Sequence, residues 1–383
     1  MPTAARQALE RCDELARFTE EPGRITRPLA SPSLRAAMAR VEEWMRAAGL
    51  GTRSDALGNL VGRRGPAPRL IIGSHLDSVA DAGRYDGILG VLIGLAVAEA
   101  TDVPLEVVAF ADEEGLRFQS TFLGSRAFVG RLDGGELALR DPDGVTLGEA
   151  IGTSELGPPL FEGARGYFEV HIEQGPVLES AGAPLGVVTA IAGQTRLNLA
   201  FSGQAGHAGT TPMHLRRDAL GAAAEFVLAA ERLALGTPGL VATVGELGIP
   251  HGACNVIPGR VEGTLDIRHQ DDPVRERSIA ALRDEADAIG ARRGIEVSWS
   301  LIAEDGATPC TLAPRVAAVV GELGLPVVEL TSGAGHDAVT MAGVTETAML
   351  FVRSTGGSHN PGEAVEEADI ALAIQAATRF ATR

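Results

Sequence analysis

Residues 105–118 read LEVVAFADEEGLRF, and the change of character inside this stretch decides the fold. Leu105–Ala111 is a short, valine-rich apolar run, which reads as a strand buried on both faces. Asp112, Glu113 and Glu114 follow it directly. The same transition recurs along the chain. Arg69–Gly73 (RLIIG) delivers His75 and Asp77 in GSHLDSV, and Tyr167–Val170 delivers His171 and Glu173 in EVHIEQG. Ala348–Val352 leads through a glycine-rich loop to His359 and Glu363 in GGSHNPGE. A further acid, Asp86 in RYDG beside Tyr85, precedes an apolar helix from about Ile88 to Ala100. Another helix starts at Ser31-Pro32, runs through Leu34, Met38, Val41 and Met45, and closes at Gly49. Strands alternating with helices predict an α/β fold with a mostly parallel sheet. Sites in such sheets form beyond the carboxyl ends of the strands, the edge on which these ligand candidates fall.

Taken singly, each motif has an ordinary explanation. Paired glutamates are usually a solvated face, His-x-Asp a satisfied surface histidine, and Asp-Gly a turn. Together at strand ends they call for something that collects them, and two metal ions sharing a carboxylate would do so. A hydrolytic site of that kind needs ions about 3.5–4 Å apart, a bridging carboxylate, terminal ligands on each ion and a base for the bound water. Histidine nitrogen and carboxylate oxygen suit zinc, manganese, cobalt or nickel. One of the paired glutamates can ligate metal while its neighbour stays free as the general base.

Composition narrows the partners. The chain has 383 residues, enough for one very large domain or two. It has 33 basic against 50 acidic residues, a net charge of −17, which argues against nucleic acid or an anionic membrane surface as partner. A small anionic substrate stays compatible, because local arginines set the field inside a cleft. Aromatics are only 4%, so small aliphatics and alanine must do most of the packing. Cys12, Cys254 and Cys310 are widely separated without CxxC spacing, which fits a reducing cytoplasm, and Cys254 is expected to be a small buried residue. The amino terminus MPTAARQALERCDELARF is charged and amphipathic, with no apolar signal core. The longest apolar stretch, Ile88–Ala100, is too short to span a bilayer.

The middle of the chain has another rhythm. Arg196–Phe201 alternates like a half-exposed strand and is followed by the loop GQAGHAGTTP and a helix from about Arg217 to Leu235. Strands at Val241–Leu247 and Gly259–Arg268, a helix from about Val274 to Arg292 and a strand at Glu296–Leu301 complete a β-α-β-β-α-β order. That order predicts a small α+β domain at 193–304, inserted between catalytic segments 1–192 and 305–383.

Ten segments, in this order, carry a resemblance: GSHLDSV, YDG, EEGLRF, FLGSRAF, HIEQGP, GHAGTTPM, RRDAL, NVIPGRVEGTLDIR, GAGHDA and GSHNPGE. The chain resembles the M20 metallohydrolases nearly end to end. The closest branch is the amidohydrolases of ureido compounds: N-carbamoyl-L-amino acid hydrolases, allantoate amidohydrolases and ureidoglycolate amidohydrolase. The resemblance implies a zinc-peptidase-like catalytic domain interrupted by a lid and dimerisation domain, a homodimer, and two divalent metal ions per subunit. It makes Asp86 the bridging ligand, with His75 and His171 completing one metal site and Glu114 and His359 the other. Glu113 becomes the general base, and Asp77 orients His75. His171 discriminates, because many peptidases of this clan carry a carboxylate there.

The resemblance also assigns the substrate side. His207 resembles the histidine that reaches a neighbouring active site across the dimer to stabilise an oxyanion. Asn255 and Arg268 resemble residues that grip the substrate carboxylate, which an arginine can hold with two parallel hydrogen bonds. Gln194 joins that pocket, and the Gly333–Ala338 loop, with Gly333, Gly335 and His336, presents backbone N–H groups. For His336 and Asp337, shaping the loop and touching substrate remain equal alternatives. Leu116 in the EEGxRF segment is a mild departure from the family pattern. The implied activity is hydrolysis of a linear ureido amide bearing a carboxylate, with allantoate slightly favoured over N-carbamoyl-L-amino acids by DIRHQDD. A peptidase or aminoacylase of the same clan is the alternative. A non-catalytic binding protein is a third reading, and it should have lost ligands or base, none of which is missing.

Overall fold

Capping residues fix where the first helices begin. In the computed structural model, which describes residues 3–383, Thr3 caps α1 (Ala4–Leu15) by accepting from the Arg6 amide. Ser31 caps α2 (Pro32–Ala47) by accepting from the Leu34 amide, with Pro32 in the first turn. Each hydroxyl satisfies a donor that a helix start leaves bare. Strands β1 (Gly51–Ser54), β2 (Leu60–Arg64) and β3 (Arg69–His75) follow. Helix α3 (Ile88–Ala100) is buried on all sides from Ile88 to Ala98, as an unbroken apolar sequence requires. Its glycines permit that depth, since a Cβ on Gly90 would lie 2.1 Å from the Val170 carbonyl. Then come β4 (Leu105–Phe110), the short α4 (Leu123–Phe128) and α5 (Leu147–Ile151), β5 (Ala164–Ile172), α6 (Val177–Ala181) and β6 (Leu185–Ile191).

The middle of the chain supplies β7 (Gly193–Ser202), β8 (Gly206–His207), α7 (Ala219–Gly236), β9 (Val241–Thr243), β10 (Leu247–Gly248), β11 (Val256–Ile257), β12 (Arg260–His269), α8 (Asp272–Arg293) and β13 (Glu296–Asp305). The remainder folds as β14 (Thr308–Pro309), α9 (Ala313–Glu322), β15 (Glu329–Ser332), α10 (Ala338–Met341), β16 (Thr347–Val352) and α11 (Glu367–Ala381).

The chain forms two units. One holds the residues up to Thr189 together with Pro309–Arg383, and the other holds Ala190–Thr308. The large unit is built on a nine-stranded sheet ordered β1-β2-β4-β3-β5-β16-β6-β14, with β15 also on β6. The four central strands β4, β3, β5 and β16 run parallel. The flanking strands β2 and β6 run antiparallel to them. Only the parallel centre brings several strand carboxyl ends to one edge, and that edge carries the ligand candidates. Helices α1, α3 and α11 pack on one another.

The inserted unit is an antiparallel sheet ordered β10-β12-β7-β13, with β9 also on β12. One face is closed by α7 and α8 over Leu197, Leu199 and Phe201 of β7 and Val261, Leu265 and Ile267 of β12. The alternate residues of those strands form the open, polar face. Two details differ from the expected elements. Val241–Leu247 is two short strands rather than one, both on β12. The last strand continues past Leu301 to Asp305 through an irregularity between Leu301 and Ala303. Cys254 also differs: it is exposed, whereas Cys12 and Cys310 are buried. Among the described residues no helix is long and apolar enough to cross a membrane.

Candidate metal centre

Four parallel strands aim their carboxyl ends at one place. His75 is the last residue of β3, Glu113 and Glu114 follow β4, His171 is near the end of β5, and His359 lies in the loop beyond β16. Asp86 comes from the turn before α3. The next residue must be glycine: Gly87 has φ +71°, and a Cβ there would sit 2.4 Å from His75 Nε2.

The ligand atoms converge on Asp86. Its Oδ1 lies 3.7 Å from His75 Nε2 and 3.2 Å from His171 Nε2, and its Oδ2 lies 3.4 Å from His359 Nε2. Glu114 Oε1 is 3.6 Å from the same His359 nitrogen. Three groups have ligand atoms mutually within 4.8 Å: His75, Asp86 and His171; Asp86, Glu114 and His359; and His75, Glu113 and Glu114. Asp86 Oδ1 and His171 Nε2 are buried without a hydrogen-bond partner. Such atoms are costly unless something satisfies them, and a cation would satisfy both. Imidazole and carboxylate donors around one shared carboxylate fit divalent metal ions.

The neighbouring groups hold these donors in place. His171 Nδ1 is 2.9 Å from the Ile172 carbonyl, which requires the proton on Nδ1 and leaves the Nε2 lone pair facing Asp86. His75 Nδ1 lies 3.2 Å from the Asp77 carbonyl and 3.4 Å from Asp77 Oδ1. The Asp77 carboxylate also accepts from the Glu113 and Glu114 amides at 3.0 and 3.1 Å. Asp77 therefore orients three residues of the centre, where the sequence suggested only His75.

Burial sets the electrostatics. It pushes Glu113 well above the usual carboxylate range and Glu114 up to about 8, with the nearby His75 opposing both shifts. His75 is itself raised despite burial, because Asp77, Glu113 and Glu114 favour its cation. Asp86 goes the other way: His171 and His75 outweigh its burial and hold it ionised. Without metal this pocket carries more carboxylate than its imidazoles can balance.

Some contributors were not read from the sequence. The Gln174 amide and the Ser358 hydroxyl donate to Asp86 Oδ2 at 2.9 and 2.7 Å. Arg27, fully buried, donates from Nε to the Leu76 carbonyl and from its amide to Ser78 Oγ, pinning the turn after His75. Two acids singled out in the sequence take other places. Glu173 caps α6 through the Val177 and Leu178 amides, and Glu363 accepts from the Tyr85 and Asp86 amides.

The glycine-rich loop after β15 packs behind the ligands. Gly335 has no room for a Cβ, which would meet Phe122 Cζ at 2.7 Å. His336 is buried with its Nε2 2.8 Å from Ser332 Oγ, and its ring meets the His171 ring edge-on at 4.5 Å. These contacts give His336 a part in shaping the loop and backing a ligand. Burial keeps it well below the usual histidine range and so uncharged.

Gln194, His207, Asn255 and Arg268 belong to the inserted unit and form two groups there. Gln194 and Arg268 are direct cross-strand partners on the open face of β7 and β12. Arg268 binds Asp266 through Nε and Nη2 at 2.7 and 2.8 Å, and Arg196 binds the same carboxylate. Gln194 donates to Asp305. His207 pairs with Val256 across β8 and β11, and the Ala208 amide donates to the Asn255 carbonyl. His207 is exposed, with Nδ1 accepting from the Gly209 amide.

A catalytic α/β unit with a clustered His/Asp/Glu centre defines a metal-dependent hydrolase. The chain belongs to Peptidase family M20/M25/M40, whose profile matches residues 71–383. It is 40% identical to a probable allantoate deiminase from rice (Oryza sativa subsp. japonica), over 97% of this chain and 86% of that one. It is also 40% identical to an N-carbamoyl-L-amino acid amidohydrolase from Geobacillus stearothermophilus, over 96% and 95%. A crystal structure of an amidase of the hydantoinase/carbamoylase family from Burkholderia multivorans superposes with a TM-score of 0.93 at 35% identity, covering 98% of this chain and 97% of that one.

Proposed function

We propose that this enzyme hydrolyses a linear ureido (carbamoyl) C–N bond in a small carboxylate-bearing substrate, with two divalent metal ions per subunit, releasing ammonia and carbon dioxide. The observation that carries the reading is the shared carboxylate. Asp86 faces His75 and His171 through one oxygen and His359 through the other, in a chain whose relatives are named for ureido hydrolysis. His171, rather than a carboxylate, at this centre favours the ureido branch over the peptidases.

His75 and His171 would hold one ion and Glu114 and His359 the other, with Asp86 common to both. Zinc, manganese, cobalt or nickel bound there supplies a Lewis acid for the ureido carbonyl and makes water acidic enough to attack it. Glu113, buried beside His75 and Glu114, takes the proton of the attacking water and passes it to the departing nitrogen. Loss of ammonia leaves a carbamate, R–NH–COO⁻, which takes up a proton and separates into amine and carbon dioxide. One ureido group and one water thus give amine, ammonia and carbon dioxide.

Arg268, Asn255, Gln194 and the Gly333–Gly335 backbone are assigned the substrate carboxylate, and His207 is assigned the oxyanion of the neighbouring active site across a homodimer. The cross-strand pairing of Gln194 with Arg268, and the placing of His207 and Asn255 on the two segments joined by β8 and β11, where the Ala208 amide donates to the Asn255 carbonyl, support treating them as working groups. The domain at 193–304 would then act as lid and dimer contact.

The test is ammonia release by manganese-loaded protein against allantoate, ureidoglycolate, several N-carbamoyl-L-amino acids and an N-acetyl amino acid. We expect ammonia from allantoate or from the carbamoyl amino acids, and the pattern decides between them. Silence on every ureido compound, with free amino acid released from the acetyl substrate, would replace this reading with an aminoacylase.

A further inference from the structure

Glu363 is buried at the metal centre, yet it belongs to none of the groups that could hold an ion. Its carboxylate is spent on the protein instead. Oε1 accepts from the Tyr85 amide at 2.9 Å and from the Asp86 amide at 3.2 Å. Oε2 lies 3.1 Å from Ser358 Oγ, and the same hydroxyl lies 2.7 Å from Asp86 Oδ2. One side chain therefore touches both segments that must meet at the centre, 83–86 and 356–363.

Two backbone features show how tightly this contact is built. A Cβ on Gly83 would sit 2.4 Å from the Glu363 carboxyl carbon, so the 83–86 turn closes directly over that carboxylate. His359 has φ +56°, a conformation that a residue with a side chain keeps only when its surroundings fix it. The segment needs an anchor, and Glu363 stands four residues beyond the histidine.

We propose that Glu363 is a positioning residue that clamps the Asp86 turn to the His359 loop and so sets the spacing of the metal ligands. This rests on the metal reading of the centre. Two amides donating into one carboxylate oxygen fix the direction in which Asp86 leaves the backbone. Ser358 carries the same constraint to the Asp86 carboxylate itself.

The experiment is titration of metal-stripped protein with manganese, followed by calorimetry, with folding checked by circular dichroism. Glu363→Ala is expected to weaken manganese binding about 10–100-fold, the usual cost of losing a group that orients a ligand. Gly83→Ala should weaken it comparably with Glu363 still present, because the new methyl displaces the carboxylate. Glu363→Gln keeps an acceptor for both amides and should bind close to the wild type. A folded Glu363→Ala protein with unchanged affinity would overturn the clamp. So would equal losses in the Gln and Ala variants, which would assign the effect to charge. If Glu363→Ala fails to fold, Gly83→Ala and Ser358→Ala carry the same comparison. A wild-type chain that takes up no manganese would sink the metal reading and the clamp with it. A chain that binds manganese yet cleaves no ureido compound would overturn only the substrate assignment.

Discussion

The carboxyl edge of the parallel sheet and the open face of the inserted sheet both gather charged side chains, but only the first buries most of them, His359 being its exposed member. At the edge, His75, Asp86 and His171 are buried, and Asp86 Oδ1 and His171 Nε2 face each other without a hydrogen bond to either. On the open face, Arg196, Asp266 and Arg268 are partly exposed, with side chains 46%, 27% and 26% accessible, and they satisfy one another. A buried polar atom must be matched, so its orphan state specifies what is missing. An exposed one can turn to water, so its pairing says little about a ligand. The edge therefore defines its metal chemistry much more sharply than the open face defines a substrate.

The hardest blow to that contrast is Asp86→Ala, which removes the carboxylate common to both ligand groups. Metal analysis should find the centre empty after dialysis and no detectable turnover. A variant that kept a full metal load would show that Asp86 is not shared. Glu113→Gln comes next. It should retain metal, because His75, Asp86, Glu114, His171 and His359 are untouched, while kcat falls about 10³-fold, within the range for a lost general base. Near wild-type turnover would move the base elsewhere.

Which parts of this were visible in the primary structure follows from the range of the interactions. The apolar runs at 69–73, 105–111 and 348–352 all fold as central strands, and Ile88–Ala100 as a helix, because their patterns are local. His75, Glu113, Glu114 and His171 were readable for the same reason, because an acid or histidine at the end of a buried strand has a fixed address, whereas Asp86 and His359, in loops, were placed by the resemblance of their motifs. Ser358 and Gln174 escaped because their partner, Asp86, is 272 and 88 residues away. Arg27 escaped because its acceptors are backbone carbonyls, which leave no mark in sequence. Glu173 and Glu363 looked like ligands by position, yet spend their oxygens on amides, and only side-chain direction separates those uses. The Val241–Leu247 strand broke because an edge segment carrying Gly245 need not stay straight to pair with β12.

Arg268→Lys probes the more exposed region. Lysine keeps the charge but cannot make two parallel bonds, so KM for a carboxylate substrate should rise about tenfold, the equivalent of about 1.4 kcal/mol, with kcat less affected. Unchanged KM would remove Arg268 from substrate binding and leave it as the partner of Asp266.

The smallest effect sharpens the comparison at the buried edge itself. In metal-free protein, Glu114 titrates at about 8 and Glu363 at about 7, against 4.5 for either unperturbed. Between those limits the unfolded chain has released protons that the folded chain keeps, so stability must fall as pH rises. His75 and His171 are raised above 6.5, and their stabilisation is likewise present at low pH and lost as pH climbs through the folded value. Asp86 is shifted the opposite way, but its contribution is lost only below the ordinary carboxylate range, so it is constant across this window, and His336, held neutral by burial, opposes the fall only up to its ordinary 6.5. In a chelator, the melting temperature should therefore drop by several degrees from pH 5.5 to 8. Manganese should reverse the trend. It binds the deprotonated donors, so the protection it gives grows as protons cease to compete. Parallel melting curves with chelator and with manganese test both halves. A chelated protein whose melting point held steady or rose over this range would show that the carboxylates are not crowded at the edge, and the contrast with the open face would lose its physical basis.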